Sequence, residues 1–129
     1  MKFLVLLGRI FYSAIFIGSG LGHFSSSAIQ YAHQHGVPMA GFLVPLAGVI
    51  ALLGGVSILL GYKARLGALL IVVFLVPVTL MMHNFWAVKD PAFELVQRAM
   101  FMKNLSLIGA ALLIFYFGAG PLSYSPKKR

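Results

Sequence analysis

The chain contains no cysteine in its 129 residues. That absence excludes a disulfide framework, a thiolate metal site and any thiol or persulfide chemistry carried by the chain itself. Acidic residues are almost as scarce: Asp90 and Glu94 stand against ten Lys and Arg, for a net charge of +8. Charged residues of all kinds make up 9% of the chain, hydrophobic ones 60%, and the mean hydropathy is +0.97. Soluble domains run at about 25% charged and about 45–50% apolar, so a soluble fold is excluded. In a soluble protein the positive charge would suggest nucleic acid; in so apolar a chain it points to membrane lipids as the partner, and no nucleic acid is expected. A Gly-rich phosphate loop after a strand and a Ser-His-Asp set are also missing.

What the chain has is long apolar runs. A helix must supply about 20 apolar residues to cross about 30 Å of hydrocarbon with every backbone amide satisfied internally. Four stretches qualify, at about 3–24, 41–61, 66–86 and 101–118, and the charges inside them are Arg9 and Lys103. Lys2 followed by an apolar run resembles a signal peptide, but the run continues past a normal h-region without a small-x-small site, so it reads as a span. The expectation is an all-α, antiparallel four-helix membrane bundle forming one domain over 1–129. Tyr62-Lys63-Ala64-Arg65 permits only a tight helical hairpin between spans two and three. Residues 25–40 read as a short surface helix, capped at Ser25 to Ser27, stopped at Gly36 and kept from continuing by Pro38. Residues 87–100 hold Pro91 and both acids, with Phe93, Val96 and Met100 at helical spacing, and read as a separate interfacial turn of helix.

Orientation follows from the basic residues. One side collects Lys2, Arg9, Lys63, Arg65, Lys127, Lys128 and Arg129 with no acid; the other has Lys89, Arg98 and Lys103 beside Asp90 and Glu94. Both termini are therefore expected in the cytoplasm, with the terminal Lys-Lys-Arg run as a topology anchor.

Small residues are expected to bring the helices together, because lipid offers no hydrophobic reason for them to associate. The candidates are Gly18, Gly20 and Gly22 in span one, Gly48, Gly54 and Gly55 in span two, and Gly109, Ala110 and Ala111 in span four. Pro77 should kink span three and free the carbonyl of Val73, with Thr79 near enough to help satisfy it. The polar residues that remain are few. His23 ends span one, His83 and Asn84 end span three ahead of Phe85 and Trp86, and Lys103 and Asn104 begin span four.

Antiparallel neighbours put those five polar groups at one depth near the outer face. Intramembrane ionisable groups tend to face a bundle interior or water, which points to a shared cavity. Single residues near helix ends also simply snorkel or anchor, and Trp86 is an ordinary aromatic-belt residue. Arg9, about two turns into span one, is expected to snorkel to the headgroups rather than face inward near Tyr12 and Ser13. His23 and His83 could in principle ligate a haem iron, but nothing in their spacing demands it, so haem is disfavoured and no metal is expected. His33 and His35 fall in the exposed first loop. A cavity of His, Asn and Lys with aromatic walls suits a small apolar molecule with carbonyl oxygens, as in a quinone head. In that reading Lys103 stabilises an oxyanion, His83 donates or shuttles a proton, and Asn84 and Asn104 orient the ligand.

Several segments resemble, in order along the chain, the DoxX family of small four-span membrane proteins. They are Leu7-Gly8-Arg9-Ile10, the Gly18-Ser19-Gly20-Leu21-Gly22-His23-Phe24 run, His35-Gly36-Val37-Pro38, Pro45-Leu46-Ala47-Gly48 through Leu53-Gly54-Gly55, His83-Asn84-Phe85-Trp86, Phe101-Met102-Lys103-Asn104-Leu105 and Gly118-Ala119-Gly120-Pro121-Leu122-Ser123. The resemblance implies a bacterial-type cytoplasmic (inner) membrane protein linked to quinone or sulfur redox chemistry. It marks Arg9, His83, Asn84, Lys103 and Asn104 as positions of interest. Bacterial relatives typically carry a Glu where this chain has Ala51 and often a Lys where it has His23; if that Glu pairs with Arg9 or Lys103 in relatives, this chain lacks the partner, which counts against a proton-coupled redox role. Eukaryotic relatives serve as cargo receptors or assembly chaperones, which keeps open a second reading: a non-catalytic structural or assembly partner of a larger membrane complex, or a homo-oligomer. Solute transport is a weaker third reading, since four spans leave little room for a pore in a monomer, although oligomerisation would reopen it.

Overall fold

The computed structural model describes residues 1–124; the Lys127, Lys128 and Arg129 anchor lies outside them. Five α-helices follow in order, α1 (Lys2–Gly22), α2 (Ser26–Gln34), α3 (Ala40–Leu60), α4 (Ala64–Met82) and α5 (Pro91–Phe117), with a 3-10 turn at Phe85–Ala87. There is no strand among the described residues. Four helices are long and apolar enough to cross a membrane: α1, α3, α4 taken with the turn after it, and α5. The all-α four-span bundle expected from the apolar runs is what forms.

α2 lies where the first loop was expected to be helical. The Ser25 hydroxyl accepts from the Ala28 amide at 3.1 Å, and Gly36, at φ +85°, turns the chain away after its last turn. The region before span four differs from expectation. Instead of a separate interfacial turn and a span starting at 101, one helix of 27 residues runs from Pro91, about 40 Å at about 1.5 Å per residue. Pro91 starts this helix rather than interrupting it, because at the first helical position its missing N–H costs nothing. Asp90 caps the helix by accepting from the Phe93 amide at 3.3 Å, and Glu94 sits in its first turn. Nothing between there and Phe101 breaks it. It ends at Gly118, whose φ of +82° and ψ of −168° belong to a region open essentially to glycine alone.

Neighbours in sequence pack as neighbours in space, α1 on α3, α3 on α4 and α4 on α5. Backbone contact makes the first two crossings. A Cβ on Gly20 would lie 2.9 Å from the Gly48 carbonyl oxygen, and one on Gly54 would lie 2.9 Å from that of Gly67. A Cβ on Gly55 would meet the Ile17 side chain at 3.0 Å and the Phe16 Cβ at 3.3 Å, whereas Gly18, Gly22 and Gly109 face open space and do not pack. Gly18 and Gly22 are each two residues from Gly20, about 200° around the helix. The core gathers Phe16, Ala51, Ile58, Ala68, Ile71, Phe74, Leu75 and Ala111. The Tyr12 hydroxyl donates to the Leu107 carbonyl at 2.6 Å and ties α1 to α5. Thr79 does not serve the backbone loosened by Pro77: its hydroxyl is buried without a partner among the described residues.

Alternation puts the start of α1, the α3–α4 turn and the end of α5 at one end of the bundle, and the α1–α3 and α4–α5 connections at the other. The segment after Gly118 folds back across the first end, where the Tyr124 amide donates to the Leu60 carbonyl at 3.0 Å. Arg9 does not snorkel as expected; it is 5% exposed and its guanidinium donates to the carbonyl of Leu122. The reason is its place on the helix: Arg9, Ser13, Phe16 and Gly20 are the buried residues of α1, spaced four, three and four apart along one inward stripe.

Candidate functional site

At the opposite end of the bundle, α1, α4 and α5 line a half-open cavity of about 100 Å³. Its polar lining is Ser19 and His23 of α1 and its cap, His83 at the end of α4, and Lys103 and Asn104 of α5, set among Phe16, Phe74, Leu75 and Leu107. Of the five polar groups expected at one depth, four come together here.

Each histidine is held by one ring nitrogen. His23 Nδ1 lies 2.6 Å from the Ser19 carbonyl, and the ring meets Phe74 edge-on at 5.4 Å between centroids. His23 follows directly on α1, and its Cβ stands over Gly48 at the helix crossing, so the glycine contact that packs the bundle also sets the depth of this imidazole. His83 Nδ1 lies 2.7 Å from Gln97 Oε1, while Gln97 Nε2 donates to the Met82 carbonyl at 3.2 Å. Gln97 is 4% exposed and Asn104 5%; Lys103 is exposed. Phe85, Trp86 and Phe101 pack edge to face with centroids 5.3 to 5.8 Å apart, and the Arg98 guanidinium lies over Phe85 at 4.5 Å. This cluster fixes the 3-10 turn, and with it the end of α4, against α5.

Two expected residues lie elsewhere. Asn84 is half-buried outside the cavity, where its carbonyl accepts from the Ala87 amide at 3.0 Å. Matched depth does not set rotation about the helix axis, and Asn84 stands past the last turn of α4. Arg9 is 14 residues before His23 on α1, about 21 Å along the axis, and belongs to the other end. His33 is exposed; His35 is half-buried, with Nδ1 3.0 Å from the Tyr31 carbonyl and its ring 4.3 Å from that of Tyr31. No group of three or more His, Asp or Glu able to hold a metal occurs among the described residues.

Gln97 is the residue that sequence reasoning missed. Gln97, Asn104 and Ala111 are the buried residues of α5, spaced by seven, which is one helix face. The signal was available to anyone extending the fourth helix back to Pro91.

The cavity holds about three waters at about 30 Å³ each, and it is smaller than the about 150 Å³ that encloses a benzene. A six-membered ring would therefore not fit wholly inside. Two imidazoles, an ammonium and an amide in a partly apolar enclosure can bind an oxygenated head and accept or return a proton.

Comparison with known proteins agrees with this architecture. The DoxX family model matches residues 4–84. The inner membrane protein YqjF of Escherichia coli is 36% identical over 121 residues, covering 92% of this chain and 87% of that one. The ER-derived vesicles protein ERV29 of Saccharomyces cerevisiae is 30% identical over 69 residues, 54% of this chain and 22% of that protein, so the match spans about a fifth of the yeast relative. No solved structure matches. With the family match over most of its length and four apolar helices of spanning length, this chain belongs to the DoxX family of membrane proteins.

Proposed function

We propose that this protein is an integral subunit of a redox or respiratory assembly in a bacterial inner membrane, with both termini in the cytoplasm. Its cavity takes the oxygenated head of a small lipid-soluble molecule, of which a quinone is the type. The observation that carries this reading is the meeting of His23, His83, Lys103 and Asn104, from three helices, on one cavity. Lys103 supplies an ammonium for a carbonyl or developing oxyanion, Asn104 an amide that orients it, and His83 a site for a proton. The name of the E. coli relative supports the location. The test is purification in mild detergent, identification of the lipid-soluble molecules that come with the protein, and photolabelling with a quinone analogue. The expected result is a bound quinone and labelling that excess quinone protects and that His83→Ala and Lys103→Ala each reduce. Absence of any such ligand, with partner assembly and activity intact in both variants, overturns it.

A second reading, a non-catalytic partner in a larger membrane complex or in a homo-oligomer, is favoured by α5. It is the least covered span, with 11% of its most apolar window buried against 33% in α3 and α4. That reading expects co-purification with a larger protein and tolerance of both cavity substitutions.

A further inference from the structure

Hydrogen bonding around the two histidines determines which atoms they offer to the cavity. Gln97 Nε2 donates to the Met82 carbonyl, an acceptor only, and this fixes the amide so that Oε1 faces His83. Oε1 is likewise an acceptor only, so His83 Nδ1 carries the hydrogen. The Ser19 carbonyl imposes the same state on His23 Nδ1. A neutral imidazole has one hydrogen and one lone pair; in the neutral form both rings therefore keep the lone pair on Nε2, the nitrogen not engaged by Ser19 or Gln97, and both residues line the cavity. The donors on the same walls are the Lys103 ammonium and the Asn104 amide.

We propose that this cavity is selective for a ligand that brings a hydroxyl hydrogen into it, a phenolic or comparable O–H, over the same molecule carrying only carbonyl oxygen. The inference rests on the reading of the cavity as a ligand site and names the form of ligand it takes. A carbonyl compound can satisfy Lys103 or Asn104 but leaves both Nε2 lone pairs unpaired, and desolvating an acceptor without a partner is costly. A hydroxyl compound donates to Nε2 through hydrogen and still accepts from Lys103 through oxygen. Sites built to bond a hydroxyl reject the analogue lacking it far more strongly than apolar pockets reject a missing methylene. Gln97 is a positioning residue in this scheme: it touches no ligand and acts by holding the His83 tautomer.

The test is binding of a short-chain hydroquinone and of its quinone to the full-length protein in detergent without oxygen, a pair alike in size and carbon skeleton. The hydroquinone is expected to bind at least about tenfold more tightly. In Gln97→Ala the preference should fall to about threefold or less while quinone affinity holds, and ¹⁵N spectra of the His83 ring should change from a single Nδ1–H tautomer to a mixture. Equal binding, or tighter binding of the quinone, overturns this inference and leaves the ligand reading standing. Binding of neither compound overturns the ligand reading, and the selectivity with it.

Discussion

Arg9 and Leu122 stand 113 residues apart, and the guanidinium of the first donates to the backbone carbonyl of the second. The bond ties the segment after α5 to the inward stripe of α1. Two further guanidinium nitrogens, Nε and Nη1, are buried without partners among the described residues. The two acids of the chain cannot serve them, since Asp90 caps α5 and Glu94 pairs with Arg98 at the other end of the bundle.

Replacing that guanidinium separates its two effects. Arg9→Met keeps most of the apolar stem, removes a charge buried with little compensation and deletes the tether. Hydrogen bonds to charged groups are worth about 1.5–3 kcal/mol, so local opening of the segment from 118 to 124 should rise by about tenfold to a hundredfold. Limited proteolysis in detergent micelles should cut there correspondingly faster, while helical content and the unfolding midpoint of the bundle change little. An unchanged cleavage rate would show that the tether does not hold the segment.

The glycine crossings make a paired prediction. A Cβ on Gly48 would lie 2.7 Å from the Cβ of His23 and 2.8 Å from the Gly20 carbonyl oxygen, whereas one on Gly18 meets nothing within 4 Å. Gly48→Ala should therefore destabilise the bundle by about 1–3 kcal/mol and displace His23 from the cavity, while Gly18→Ala should be neutral or slightly stabilising. Thermal unfolding of the two variants in one detergent reads the difference directly, and similar midpoints would contradict the crossing.

Ala51 is 0% exposed in the core beside Phe16 and Ile58. A glutamate there would bury a carboxylate among apolar side chains, and unpaired buried charge is among the few causes of losses above about 4 kcal/mol. Ala51→Glu is expected to abolish accumulation of folded protein, and Ala51→Ser to lower stability far less. Monodisperse material on size exclusion from the glutamate variant would mean that a cation reaches it.

The sequence made much of this legible, and the limits have physical causes. The spans could be read because apolar runs of about 20 residues admit one solution in lipid, and α2 because Ser25 and Gly36 punctuate it. Position along the bundle axis could be read in part: of His23, His83, Asn84, Lys103 and Asn104, expected at one level, all but Asn84 line one cavity. Rotation about each helix axis was harder: it turned Arg9 inward, Asn84 out of the cavity and Gly18 away from α3. Hydropathy also cut the first ten residues of α5 away from the span, because their mixed polarity reads as a separate interfacial turn although Pro91 opens one continuous helix there. Gln97 was lost with them.

The Asp90 carboxylate caps α5 through the Phe93 amide, and Gln97 lies one turn beyond Phe93 on the same helix. Losing an N-cap costs about 0.5–2 kcal/mol, and in Asp90→Ala that loss should fall on the first turns of α5 rather than on the whole bundle, because the packing of Asn104 and Ala111 further along is untouched. Amide hydrogen exchange should rise about threefold to thirtyfold over residues 93–98 and stay unchanged in α3. As fraying reaches Gln97, the His83 ring loses its Nδ1 acceptor for part of the time, so its ¹⁵N spectrum should report a second tautomer in proportion to the exchange. Faster exchange with an unaltered His83 signal would show that Gln97 is held by the Met82 carbonyl and by Asn104's face of the helix alone, independently of the cap.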